Sequence, residues 1–197
     1  MTDRVTTLSG TAPPERVDPR TARTRRAIID AFGRLVLRSR KPPIRAADVV
    51  AEAGVGRSTF YEHFAGAEQV QLAALAEPFA ILADAAIGRG DPARTEWLLQ
   101  HFWENRQRAR DMLQGRAGEQ AQRLLADLVE RRLEMPVATA PGLAARQLAA
   151  AAFAPVRAWL LGEVTADAAA LAQVIRNGGT ALLASMQMGR PGEFPAS

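Results

Sequence analysis

Ile44-Arg45-Ala46-Ala47-Asp48-Val49-Val50-Ala51-Glu52-Ala53-Gly54-Val55-Gly56-Arg57-Ser58-Thr59-Phe60-Tyr61-Glu62-His63-Phe64 is the stretch on which the fold turns. Apolar side chains fall at Ile44, Val49, Val50 and Ala53, and again at Val55, Phe60 and Phe64, at the spacing of helices that bury one side. Between the two groups, Ala53-Gly54-Val55-Gly56 reads as a tight turn, with Gly54 where a helix end often needs a left-handed residue. The pattern predicts a short helix over about Arg45–Ala53 and a second from near Gly56 to about His63. Their apolar residues can close a small core against a helix upstream, which leaves Arg57, Ser58, Tyr61 and His63 facing outward. An exposed helix with these side chains suits the DNA major groove, which accepts an α-helix whose N-terminal residues meet base edges.

Upstream, Ile28, Ile29, Phe32, Leu35 and Val36 recur at spacings of three and four, while Arg25, Arg26 and Arg34 stay off that stripe. This first helix starts near Pro19 and is expected to end before Pro42-Pro43, because proline supplies no amide and restricts the residue before it. Met1 to Pro19 is rich in Thr, Pro, Ser and charge and reads as a disordered arm. Downstream, a loop at Ala65-Gly66 precedes a longer helix from Ala67 to about Gly88. Breaks follow at Gly88–Pro92, Gln114-Gly115, Met135–Gly142 and Gly162–Thr165, with helical pattern between them and no strand-like alternation. The expectation is an all-α chain of about nine helices. It divides into an arm (1–19), a helix-turn-helix unit (20–66), a larger helical unit (67–188) and a flexible Gly/Pro-rich tail (189–197).

Charge sharpens the reading. The 197 residues carry a formal charge of +4, and Lys41 is the only lysine among the basic residues. Residues 1–64 hold 12 Arg and Lys against 7 Asp and Glu, a net of +5, whereas the remainder is net −1. The whole positive excess therefore lies around the helix-turn-helix stretch, and nucleic acid is the obvious polyanion for it. GC-rich codon usage explains the preference for arginine but not its placement. Cysteine is absent, which excludes a disulfide framework, thiolate metal sites and a cysteine nucleophile and leaves a reducing cytoplasm as the expected location. The longest apolar run, Leu148 to Val156, falls well short of the ~20 residues of a membrane span, and the first twenty residues show no secretory pattern.

The Ala-Gly-Val turn, the Thr-Phe-Tyr-x-His-Phe run at Thr59–Phe64, the upstream Ile/Phe helix and Glu68 after the loop together resemble the TetR family of bacterial regulators. The resemblance covers about fifty residues; the rest is similar only in being helical and of suitable length. It implies that Gly54 is the turn glycine and that Arg57 and Ser58 read sequence. Thr59, Tyr61 and His63 would touch phosphates or bases, and Arg45 would lie near the DNA backbone. Two positions depart from the family. Gly56 stands where a Ser or Thr usually caps the third helix, and Ala67 where a phosphate-touching lysine is frequent. Arg45 or the arm arginines Arg16, Arg20 and Arg23 are candidates to replace the lost contact.

The same resemblance implies that the region after Ala67 binds a small effector and forms a homodimer. Phe79, Trp97, Phe102, Trp103, Met112, Phe153 and Trp159, with polar neighbours such as His101, are candidates for a pocket that takes a small hydrophobic or aromatic molecule, though they equally suit a plain helical core. For the dimer, one wide apolar stripe runs through Leu143, Leu148, Ala151, Ala152, Val156, Trp159 and Leu160, and another through Leu171, Val174, Ile175, Gly178, Leu182 and Leu183. Gly178-Gly179 within the second marks either a close helix–helix approach or a kink. With two histidines and no cysteine, no metal cluster of those ligands can be assembled, and neither a phosphate-cradling loop nor a Ser/His/acid set is present. Arg176-Asn177-Gly178-Gly179 follows no strand. Neither catalysis nor a cofactor is expected. The competing reading is a helical dimeric adaptor without an effector, or an activator, that no longer reads a specific operator; Gly56 and Ala67 keep it open.

Overall fold

The computed structural model describes residues 18–38, 43–133 and 141–188. The expected arm up to residue 17, the helix stop at Pro42, the break at Met135-Pro136 and the tail from Gly189 lie outside them. Nine helices and no strand occur among the described residues: α1 (Pro19–Arg38), α2 (Ala46–Ala53), α3 (Arg57–His63), α4 (Ala67–Ala86), α5 (Pro92–Glu104), α6 (Arg106–Leu113), α7 (Gly115–Glu130), α8 (Pro141–Leu161) and α9 (Ala168–Met188). None of these helices is long and apolar enough to cross a membrane.

Two clusters of buried side chains organise the molecule. The smaller joins Ile28 and Phe32 of α1, Val49 of α2, Phe60 of α3, Phe64 just after α3, and Val70 of α4. The larger fills the space among α4, α5, α7, α8 and α9, with Phe79, Leu82, Leu99, Leu125, Leu148 and Trp159 among its members. Met112 of α6 packs against both. α4 therefore runs from one cluster into the other, with Pro78 inside it. Proline supplies no amide to the turn before it, so the helix lacks one rung of its ladder at that point.

Local sequence explains several helix ends. Gly54 closes α2 at φ 64°, and its amide donates to carbonyls of the preceding turn. Asp91 accepts from the Ala93 amide at 2.9 Å and, with Pro92 in the first turn, starts α5. α4 stops at Ala86, short of Gly88. The end is closed by backbone bonds from the Gly88 amide to the Ala85 carbonyl at 2.9 Å and from the Arg89 amide to the Asp84 carbonyl at 2.8 Å. The Arg176 guanidinium of α9 holds the loop that follows by donating to the carbonyls of Arg89 at 2.9 Å and Gly90 at 3.0 Å. One break had no sequence signal: α5 and α6 are separated by the single residue Asn105, whose amide nitrogen donates to the His101 carbonyl at 3.0 Å.

The expected dimer stripes need correction. Leu148, Ala152, Val156, Trp159 and Leu160 of α8, and Leu171 and Ile175 of α9, are buried in the chain's own larger cluster. They form seams with α4, α5 and α7, because a helix that is apolar over most of its circumference turns its bulkiest side inward. Leu143, Ala151, Val174 and Gly178 are the stripe members left exposed, and Leu182 and Leu183 are half-buried. Helix α9 continues through Gly178-Gly179 without a break. Gly179 marks a close approach: a Cβ built on it would sit 2.0 Å from the Ala86 carbonyl oxygen of α4. Gly178 has nothing within 4 Å of the same position.

Candidate nucleic-acid interface and effector cavity

α3 is held from beneath and bare above. Phe60 is fully buried and lies 6.2 Å from Phe64, ring centre to ring centre, so the helix is pinned by two aromatic side chains to the α1–α2 core. Arg25 of α1 lies over the outer face of Phe64 at 4.5 Å, a cation–π contact that ties α1 to the end of α3. On the opposite side Arg57 and Ser58 are exposed, Tyr61 is 48 % exposed, and Thr59 and His63 are half-buried. The Arg57 guanidinium rests over the Tyr61 ring at 5.8 Å. Arg57 and Tyr61 are one helical turn apart, so they form a continuous exposed strip. Gly56 precedes the helix at φ −67° and ψ 150°, an extended conformation open to any residue, and it makes no side-chain cap. Arg45 stands ahead of α2, where its own amide donates to the Asp48 carboxylate at 2.8 Å.

Not every cation of this basic region is free to meet a polyanion. Glu52 of α2 accepts from Arg34 at 2.7 Å and Arg38 at 3.5 Å, both on α1. The hydrogen bond from Arg34 holds the Glu52 carboxyl below its ordinary range; partial burial opposes that shift and the Arg38 charge adds to it. Arg26 is paired with Asp30 at 3.1 Å. Arg45 and Arg57 have no carboxylate partner among the described residues. Sequence reasoning had located the basic excess but not this sorting, which depends on the Arg34–Glu52 pair across 18 residues.

The eight residues nominated for an effector pocket do not meet in one place. Phe79 and Phe153 pack edge to face at 6.3 Å inside the larger core. Trp159 is buried there too, donates to the Ala166 carbonyl at 2.8 Å, and stacks with the half-covered Trp103 at 4.6 Å. Arg106 covers the Trp103 ring at 4.5 Å. Trp97 is 62 % exposed and stacks on His101, one turn later on the same outer face of α5. Of the eight, His101, Phe102 and Met112 line one cavity of about 220 Å³, and its opposite wall is α1. Three large aromatics within seven residues point to different sides of their helix, which is why proximity in sequence overstated the cluster. Among the described residues no group of three or more acidic or histidine side chains is arranged to hold a metal ion.

No protein-family model and no curated protein matches the sequence. Solved structures do. The chain is similar to the Thermus thermophilus FadR, a TetR-family transcriptional repressor solved in complex with lauroyl-CoA, with a TM-score of 0.51, 19 % identity, 88 % of this chain covered and 100 % of that one. A TetR transcriptional regulator from Streptococcus agalactiae aligns with a TM-score of 0.46 at 21 % identity, covering 81 % of this chain and 95 % of that one. A TetR-family regulator from Streptomyces coelicolor gives 0.44 at 16 %, with 88 % and 92 % covered. The all-helical fold, with its helix-turn-helix followed by a larger helical unit, is the TetR fold.

Proposed function

We propose that the protein is a transcriptional regulator, a repressor that binds a palindromic operator as a homodimer and leaves it when a small apolar effector binds. The observation that carries this reading is α3: a short helix anchored on Phe60, with Arg57, Ser58 and Tyr61 exposed on the far side and no carboxylate among the described residues holding Arg57. Arg57 stands in the first helical turn, where a guanidinium reaches the two acceptors of a guanine. Tyr61 and His63 come later, near the strand, and serve as phosphate contacts. The basic balance of the first third supplies the non-specific attraction. A homodimer is supported by the apolar residues that α8 and α9 leave outside, Leu143 and Val174 at 67 % and 60 % exposure. The Thermus FadR, which shares the fold, is solved with lauroyl-CoA, and this supports reading the larger helical unit as one that binds an effector.

Gel shifts on the DNA beside the protein's own gene, at two salt concentrations, test the reading. Arg57→Ala is expected to cost about 1–3 kcal/mol and to relax preference at one position of each half-site. Tyr61→Phe is expected to weaken all sequences alike while leaving the salt dependence unchanged, because a neutral group releases no counterion. Equal weakening of every sequence by Arg57→Ala makes it a backbone contact. If neither substitution changes affinity, α3 is not the reading element and the adaptor takes precedence.

A further inference from the structure

The seam between α1 and α6 is only partly filled. Two adjoining chambers of about 270 and 220 Å³ lie there, and Phe32, Val36, Arg108 and Met112 line both. Together they reach the lower range of small-molecule pockets, roughly 300–1,000 Å³. The smaller has walls from α1 (Phe32, Gly33, Val36, Leu37), α4 (Ala74, Leu75, Pro78) and the α5–α6 corner (Phe102, Ala109, Met112, Leu113). Its polar lining is confined to His101, Asn105 and Arg108.

Arg108 is the distinctive member. Its guanidinium crosses the seam to donate to the Leu37 carbonyl in the last turn of α1 and, at 3.3 Å, to the Asn105 side-chain oxygen. Both acceptors are neutral, and no carboxylate pairs with Arg108 among the described residues. Asp111, which lines the larger chamber, instead accepts from Gln107 at 3.2 Å. A half-buried cation with no counter-ion among the described residues thus stands at the edge of a nearly apolar chamber. Gly33 adds to the picture. It lies inside α1, where glycine costs about 1 kcal/mol relative to alanine, yet a Cβ on it would meet nothing within 4 Å. Gly33 thus bounds the chamber without filling it, and a longer side chain there has room to enter.

We propose that this seam binds a compact apolar carboxylate. Its ring or branched chain occupies the smaller chamber, and its carboxylate takes the Arg108 guanidinium from the Leu37 carbonyl. The inference rests on the effector reading above and places the effector between the two cores. The exchange has a mechanical consequence. Phe32, on the chamber wall, belongs to the cluster that anchors α3 through Phe60, so a ligand here touches the α3 support directly.

The test uses the full chain with fluorescent 2-naphthoate and its uncharged isostere 2-naphthamide, measured by titration calorimetry. The wild type is expected to bind one naphthoate per chain, about tenfold or more tighter than the amide, the effect of a charge-assisted hydrogen bond. Arg108→Gln should erase that preference and leave the amide within about twofold. Gly33→Leu, which fills the chamber from an open position, should weaken both ligands by about tenfold or more without lowering the melting temperature. Absence of naphthoate binding at millimolar concentration overturns the proposal, as does equal affinity for the two ligands or indifference to both substitutions. The gel shift is run in parallel. A protein that retards DNA but fails these titrations keeps the regulator reading and loses the site; one that passes them without retarding DNA keeps the site and loses the regulator.

Discussion

Gly178 and Gly179 are neighbours in α9, and the structure predicts that alanine affects their stability in opposite directions. At Gly178 the added methyl meets nothing within 4 Å, so the substitution should bring only the helix-propensity gain of about 1 kcal/mol. At Gly179 the same gain is opposed by a clash. The new Cβ would lie 2.0 Å from the Ala86 carbonyl oxygen and 2.6 Å from its carbon, and both belong to the backbone of α4, which cannot rotate away as a side chain does. Overpacking of this kind costs about 1–3 kcal/mol, and a rigid backbone neighbour puts it at the upper end, so the net loss is about 2 kcal/mol. For a chain of this length ~1 kcal/mol moves Tm by ~2–4 °C, so Gly179→Ala should melt roughly 4–8 °C lower and Gly178→Ala roughly 2–4 °C higher. Thermal unfolding followed by circular dichroism at two protein concentrations decides the matter. A Gly179→Ala protein as stable as the wild type would refute the account of the α4–α9 seam. A loss at Gly178 that varies with protein concentration would place Gly178 inside the proposed dimer interface beside Val174, against the partner's backbone.

Two further substitutions probe the helix-turn-helix unit. Glu52→Gln removes a carboxylate whose protonation is suppressed in the folded chain, chiefly by the hydrogen bond from Arg34. The stabilisation from that lowered pKa is present above the unfolded value of ~4.3 and lost as pH falls through the folded one, so the Tm gap between variant and wild type should be full at neutral pH and close in acid. A gap that persists unchanged at acid pH would show that the ionised pair is not its source. Gly56→Ser places a hydroxyl ahead of α3, where the new Cβ meets only ordinary contacts, 3.6 Å from the Thr59 hydroxyl and 3.8 Å from that of Ser58. A cap there should add a few tenths of a kcal/mol, roughly 1 °C in Tm, and a melting temperature below wild type would contradict it.

The α2–turn–α3 unit was legible because its information is local. Gly54 marks the turn, and Val49, Phe60 and Phe64 mark the buried side at helical spacing. Where the reading failed, the deciding interaction was not local or the periodicity was degenerate. α8 is apolar over so much of its surface that sequence alone could not tell the seam with its own chain from a seam with a partner; Trp159 and Leu160 belong to the first, Leu143 to neither core. The Asn105 corner carries no glycine or proline to announce it, yet it turns α6 so that Arg108 faces α1. Trp97 and Phe102, five residues apart, lie on different sides of α5, one exposed and one buried.

α1 is the element through which these observations connect. Its inward residues Ile28 and Phe32 share a core with Phe60, the anchor of α3, and its Arg34 and Arg38 hold α2 through Glu52. Its C-terminal turn is tied to α6 by the bond from Arg108 to the Leu37 carbonyl. A rigid helix with those attachments cannot be displaced at one end without moving the others, because packed cores shift between discrete arrangements rather than deform smoothly. The smaller core has few fully buried residues, whereas the α4–α9 core is broad. Opening the α1–α6 seam should therefore reorient the α1–α3 unit and leave the larger core in place. On that reasoning α1 is the coupling element, since the helix that lines the chamber also carries the side chains that hold the reading helix.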